Sequence, residues 1–188
     1  MSEKELALFQ PYATAQDFLS AQEMDRLIAD HAPLLSEGKL SFGNTDSNLR
    51  RSRVSFLAHE PKHSWLYQRL WAAVQVCNPQ CFDVDVVGVE PNVQIARYGS
   101  FDSGFYNWHF DFGPAKPQRK LSISIQLSSS EDYDGGDLEM MYGDAPSKLD
   151  RTRGVIIVFP SFILHRVTPV TRGTRWSLVA WIYGKRWR

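Results

Sequence analysis

From Val84 onward the chain is a series of short apolar or alternating runs parted by clusters of Gly, Pro, Asp and Ser, and nothing else in it constrains the fold as strongly. Strand candidates fall at 84–89, 92–98, 107–112, 120–127, 137–142, 153–159, 163–168 and 174–183. Turn clusters separate them at 99–104, 113–118, 128–136, 143–150 and 169–173. No stretch of this half holds helical spacing over a helix's length. Many short strands with frequent turn signals argue for a double-sheet sandwich or a barrel. Side chains two apart on a strand share a face, so chemistry in such a fold is to be sought in alternations of polar residues.

The earlier part reads differently. Ser20-Ala21-Gln22-Glu23 has capping-box form, and Met24, Leu27 and Ile28 follow at helical spacing, which predicts a helix over 21–31 that ends before Pro33. A second helix is expected from about Pro61 to Cys77, with Trp65, Leu66, Leu70, Ala73, Val74 and Cys77 as its apolar face. Residues 36–50 are polar and read as a loop. Arg50-Arg51-Ser52-Arg53 precedes a strand at 54–58 and reads as a solvated strand entry, with an anion contact as the alternative. The fold class is therefore mainly β with N-terminal helices (α+β): a helical part at about 1–80 and a β core at about 84–184, in one domain over 1–188.

Composition narrows the partners. Lys+Arg and Asp+Glu are equal at 21 each, so nothing favours nucleic acid or a membrane surface. At 43% hydrophobic residues the chain can bury a substantial core, yet its apolar runs fall far short of the ~20 residues that span a bilayer. Met1-Ser2-Glu3-Lys4-Glu5 lacks the basic-then-apolar form of a signal peptide. Cys77 and Cys81 are the only cysteines and fit a reduced compartment, so a cytoplasmic location is expected. His59-Glu60-Pro61-Lys62-His63 has the spelling of a zinc-protease HExxH motif. Pro61 favours an extended Glu60 and belongs at a helix's first position, so the two imidazoles should not share a helix face.

The polar alternation that matters is Asn107-Trp108-His109-Phe110-Asp111-Phe112. As a strand it puts His109 and Asp111 on one face and Trp108, Phe110 and Phe112 on the other. A second histidine, His165, follows the apolar run 155–159. Two histidines and one carboxylate form the facial triad that suits non-haem Fe(II), because they hold the ion without filling its coordination sphere. Arg175 and Ser177 share a face of the last strand. A guanidinium beside a hydroxyl suits the distal carboxylate of a small diacid, which the Arg fork pairs bidentately.

These residues resemble the Fe(II)/2-oxoglutarate-dependent dioxygenase superfamily, in its prolyl 4-hydroxylase-like branch. The likeness runs from about Asn92 to Gly184, through Gln94-Ile95-Ala96-Arg97-Tyr98, Trp108-His109-Phe110-Asp111, Tyr133-Asp134-Gly135-Gly136-Asp137-Leu138, Phe159-Pro160 and His165-Arg166-Val167-Thr168-Pro169-Val170-Thr171-Arg172-Gly173. It implies a double-stranded β-helix (jelly-roll, cupin-like) with iron on His109, Asp111 and His165, the catalytic set. It implies 2-oxoglutarate held by Arg175, Ser177 and Tyr98, with Gln126 standing where relatives often carry Tyr. O2 is then the oxidant and ascorbate a reductant. The implied reaction is hydroxylation of an unactivated C–H with release of succinate and CO2. Its substrate is expected to be peptidyl proline or another amino-acid side chain, with a free amino acid or small metabolite as the alternative. Asp111 argues against a halogenase, which lacks the carboxylate ligand. A non-catalytic β-helix binding module and a cupin-type metal isomerase or hydrolase are the readings from other classes. The loops 36–50 and 99–105 are expected to flank the mouth of the site.

Overall fold

The computed structural model describes residues 11–40 and 45–186. The segment 1–5 and positions 41–44 of the polar loop lie outside the described residues.

In chain order the strands are β1 (Ala13–Ala15), β2 (Ser36–Glu37), β3 (Arg50–Arg51), β4 (Arg53–Ala58), β5 (Gly88–Val89), β6 (Asn92–Gly99), β7 (Phe105–His109), β8 (Arg119–Gln126), β9 (Tyr133–Gly135), β10 (Leu138–Met141), β11 (Ser147–Lys148), β12 (Ile156–Pro160), β13 (Leu164–Val167) and β14 (Val170–Tyr183). Helix α1 spans Ala21–His31 and α2 spans Ser64–Cys81. The strands form two antiparallel sheets. The larger runs β1-β12-β8-β14-β6-β4-β2, with β5 and β9 also pairing to β14. The smaller runs β11-β10-β13-β7-β3.

Local chemistry accounts for the helices. Ser20 caps α1 as a full capping box: its hydroxyl accepts from the Glu23 N–H, and the Glu23 carboxylate accepts from the Ser20 N–H at 2.8 Å. Met24, Leu27 and His31 are its buried face. Pro61 opens a 3₁₀ turn, Pro61–His63, that leads into α2, whose buried residues are Leu66, Tyr67, Leu70 and Val74. Helix α2 runs four residues past its expected end. Pro79 sits in the last turn, where its missing N–H leaves one helical carbonyl unbonded in a helix that is already ending, and Asn78 closes the end through two side-chain bonds to Val84. Glu60 is extended, as Pro61 demands, and His59 stacks on Tyr67 while His63 binds the Ala58 carbonyl. The HExxH spelling therefore forms no two-histidine helix face.

Strand β8 is buried along its whole length, and its alternation sorts it cleanly. Leu121, Ile123 and Ile125 join the core between the large sheet and the helices. Ser122, Ser124 and Gln126 face the other way. A second core, including Val54, Ala96, Tyr133, Met140, Ile157 and Val167, lies between the sheets. Several boundaries depart from expectation. Strand β14 begins at Val170, within the expected 169–173 turn, β12 begins at Ile156, and β9 and β11 form inside the turn clusters 128–136 and 143–150. The 84–89 run is strand only at its end. The strand expected at 107–112 stops at His109. The N-terminal part is not simply helical, since it supplies β1 to β4. These strands are two to six residues long and take their pairing from the sheets they join, so no local alternation announces most of them. Among the described residues no helix is long and apolar enough to cross a membrane. Both cysteines are free, and burial pushes the Cys77 thiol up to about 11.

Candidate metal and 2-oxo acid site

The small sheet brings two imidazoles together. His109 and His165 are direct partners in the β7–β13 pairing, with ring centroids 4.2 Å apart. Asp111 lies two residues beyond β7, so strand alternation does not place it. The turn does: the Asp111 and Phe112 N–H groups both donate to the Ser161 carbonyl at 3.0 Å. Ser122 on the large sheet then donates to Asp111 Oδ2 at 2.7 Å and contacts the Ser161 hydroxyl at 3.0 Å. Leaving the strand here also changes the aromatic backing. Phe110 is exposed, while Trp108 lies under the Arg166 guanidinium at 4.5 Å.

His109 Nε2 is 3.9 Å from Asp111 Oδ1, and His165 Nε2 is 3.6 Å from Asp111 Oδ2. One ligand atom from each of the three residues lies within 4.8 Å of the others. That spacing is close to what bonds of about 2 Å to one ion require. Both imidazoles are also pre-aimed. His109 Nδ1 binds the Asn107 carbonyl at 2.7 Å and His165 Nδ1 the Ile163 carbonyl at 2.8 Å. Those bonds fix the Nδ1–H tautomer and leave the Nε2 lone pairs for a metal. Burial, reinforced by His165, holds the His109 imidazole down to about 3. Burial opposes ionisation of Asp111, but His165, His109, Arg119 and the Ser122 bond outweigh it and leave the carboxyl at about 2. Neutral imidazole and ionised carboxylate are the forms that bind metal.

The triad opens into a cleft of about 920 Å³ between the sheets. Its far wall is β14. Arg175 is 3% exposed, with Nη1 3.3 Å from the Ser177 hydroxyl and its guanidinium 5.6 Å from the Tyr98 ring centre. No carboxylate among the described residues pairs with it. A buried guanidinium left in that state is costly unless an anion joins it, so this end of the cleft fits a diacid. Gly136 lets Arg175 lie there. It has φ +61°, and a Cβ on it would come within 3.2 Å of Arg175 Cδ and 2.9 Å of Val170. Gly135 pairs with Val170 of β14, the Gly136 N–H donates to the Pro169 carbonyl at 3.2 Å, and Asp134 and Asp137 nearby are engaged by Arg172, Lys148 and Arg151.

Of the residues singled out from sequence, His109, Asp111, His165, Tyr98, Arg175 and Ser177 line this one cleft. Gln126 does not. Its amide donates to the Tyr133 hydroxyl at 2.9 Å, in a small cavity behind Arg175. Three further lining residues stand out only once the sheets are assembled. Arg50 is buried, not solvated as its charged run suggests. Tyr106 stacks on His109. Arg119 holds Glu90 in a two-bonded pair and lies 3.7 Å over the Trp181 ring. Of the loops expected at the mouth, Ser36, Glu37, Lys39 and Leu40 line the cleft, whereas 99–104 closes on itself through Gly104 N–H to the Gly99 carbonyl and supplies no lining residue.

Residues 93–183 match the family model of the 2OG-Fe(II) oxygenase superfamily. The chain also resembles proteins of the prolyl 4-hydroxylase-like kind. It is 40% identical over 62 residues to a PKHD-type hydroxylase of Synechococcus sp. (strain JA-2-3B'a(2-13)), covering 33% of this chain and 28% of the relative. It is 39% identical over 88 residues to one from Acidovorax ebreus (strain TPSY), covering 43% of this chain and 39% of the relative. The matches thus span between a quarter and two fifths of those relatives' lengths. The fold is that of a Pseudomonas putida prolyl-4-hydroxylase, with a TM-score of 0.72, 20% identity and 93% of each chain covered. A prolyl hydroxylase from Trichoplax adhaerens, solved with a hypoxia inducible factor peptide fragment, gives a TM-score of 0.77 at 17% identity over 93% of this chain and 84% of its own.

Proposed function

We propose that the protein is an Fe(II)- and 2-oxoglutarate-dependent dioxygenase, built on a double-stranded β-helix, that hydroxylates an unactivated C–H and releases succinate and CO2. One observation carries the reading: a pre-aimed His-Asp-His set and a buried, carboxylate-free Arg175 share a single cleft. His109, Asp111 and His165 would hold the iron, which supplies the oxygen chemistry when bound. Arg175, with Ser177 and Tyr98 beside it, takes the distal carboxylate of 2-oxoglutarate and so fixes which way its 2-oxo acid end points. The positive charges of Fe(II) and Arg175 balance Asp111 and the 2-oxoglutarate dianion. Gln126 acts one step back, steadying Tyr133 behind Arg175.

For the substrate we infer an amino-acid side chain in a peptide, with proline the leading candidate. The support is the likeness to prolyl hydroxylases, one of them solved with a peptide fragment, and an open cleft larger than a 2-oxo acid needs. A cytoplasmic location and ascorbate as reductant belong to the same proposal. The test is to load the protein anaerobically with Fe(II) and 2-oxoglutarate, admit O2 with peptide and metabolite pools, and search for products heavier by one oxygen atom. Succinate formation coupled to such a product supports the reading. No 2-oxoglutarate turnover, with or without candidate substrates, refutes it.

A further inference from the structure

A β-bulge sits just before His109. On β13 His165 and Val167 are two residues apart, but their partners on β7, His109 and Tyr106, are three apart. In a regular strand, residues three apart face opposite ways; the extra residue turns both inward. The Tyr106 and His109 rings then stack, with centroids 3.5 Å apart and planes 11° from parallel. The same irregularity aims the Asn107 carbonyl at His109 Nδ1.

With His109 on one face of Tyr106, the other face is left for Arg50, which is its direct partner in the β3–β7 pairing. The Arg50 guanidinium lies over the Tyr106 ring, 4.6 Å from its centre. Arg50 is 8% exposed. It is held by Nε to the Ser52 hydroxyl at 2.6 Å, Nη1 to the Lys39 carbonyl at 3.1 Å and Nη2 to the Gln94 amide oxygen at 3.4 Å. All of these partners are neutral, and no carboxylate among the described residues pairs with Arg50. Its full charge is therefore directed through the aromatic ring toward the imidazole.

We propose that Arg50 and Tyr106 are positioning residues that tune the metal on His109, the stack fixing the imidazole plane and the fixed cation behind it favouring Fe(II) over Fe(III). This rests on the iron reading above. The physical basis is direct. A cation over a π-face polarises that ring. A fixed positive charge in a dry site raises the energy of the more highly charged iron state. Groups behind a ligand set both its orientation and its redox potential.

The test is a mediated redox titration of the iron-loaded protein, with Mn(II) affinity measured alongside. Arg50→Met keeps most of the side chain and removes the charge. It should lower the Fe(III)/Fe(II) midpoint by about 59 mV or more, a tenfold change in the ratio of the two states at fixed potential, and should tighten Mn(II) binding, since the same cation opposes a divalent ion too. Arg50→Gln gives a second uncharged variant if Arg50→Met does not fold. Arg50→Lys should restore most of the shift. Tyr106→Leu should instead cost Mn(II) affinity by about tenfold, because the imidazole loses its backing. A midpoint in the uncharged variant that moves by less than a tenfold ratio, or one that Lys does not restore, overturns the tuning role. A wild-type protein that holds no stoichiometric iron overturns the functional reading itself, and the tuning role with it.

Discussion

The two ends of the cleft are built on opposite terms. At the metal end every side chain is already engaged: each imidazole Nδ1 has a backbone carbonyl, and Asp111 has Ser122. At the β14 end Arg175 is buried with a neighbouring hydroxyl and no counter-charge among the described residues. The first end is organised before any ligand arrives. The second carries a charge that becomes satisfied only when an anion enters. The difference teaches that the site should bind in order, metal first and diacid second, and that its two ends should fail separately.

The largest expected effect is at the metal end. His109→Ala or Asp111→Ala removes one of three ligands and should abolish stoichiometric Fe(II) binding, read by metal analysis after gel filtration, and turnover with it. Retention of one metal per chain in either variant would break the comparison at once.

Next comes the Arg175 end. Arg175→Ala should raise the 2-oxoglutarate requirement at least tenfold while metal affinity stays near wild type, since a buried charge pair is lost and the metal ligands are untouched. Arg175→Lys should fall between the two, because it keeps the charge and loses the fork. Unchanged dependence in Arg175→Ala would mean another cation serves. Arg172 is a poor substitute, being engaged by Asp134 on the surface.

A smaller effect tests the support of the metal end. Ser122→Ala deletes the hydrogen bond that ties Asp111 to the large sheet, and metal affinity should drop about tenfold with 2-oxoglutarate discrimination unaltered. Equal losses of both would show that the ends are not separable.

The smallest lies outside the cleft and serves as a control. The Arg69 hydrogen bond, with the Ser20 cap, holds Glu23 down to about 2 from 4.5. A depressed carboxyl stabilises the fold above its unfolded value and loses that contribution as pH falls from 4.5 toward 2. Glu23→Gln should therefore make acid unfolding shallower across that window, followed by circular dichroism, and leave metal binding unchanged at neutral pH. An identical acid profile would remove Glu23 from the account of α1.

The capping box at Ser20, the alternation in β8 and the series of short C-terminal strands are local signals, legible in the amino-acid sequence, and the chain follows them. His109 and His165 each end a recognisable run, and Arg175 and Ser177 share a strand face. What the sequence does not reveal depends on contacts between residues distant along the chain. Asp111 is placed by the Ser161 carbonyl and Ser122, not by strand alternation. Arg50 reads as solvated because its run is charged, and it is buried only because β3 pairs with β7. Tyr106 faces inward through a bulge, and a one-residue bulge has no signature in composition or period. Gln126 alternates as it should, but Tyr133 from the next strand claims its amide. Elements are readable where one segment determines them; partners are not, where two sheets must meet.

The central claim is that metal and diacid share one cleft in that order. Calorimetric titration of 2-oxoglutarate into the Mn(II)-loaded and the metal-free protein tests it most directly. The account predicts one-to-one binding that strengthens at least tenfold with metal present; Asp111→Ala should lose that gain, and Arg175→Ala should weaken binding at least tenfold with or without metal. Binding of equal strength with and without metal, or none in the loaded wild type, would contradict it.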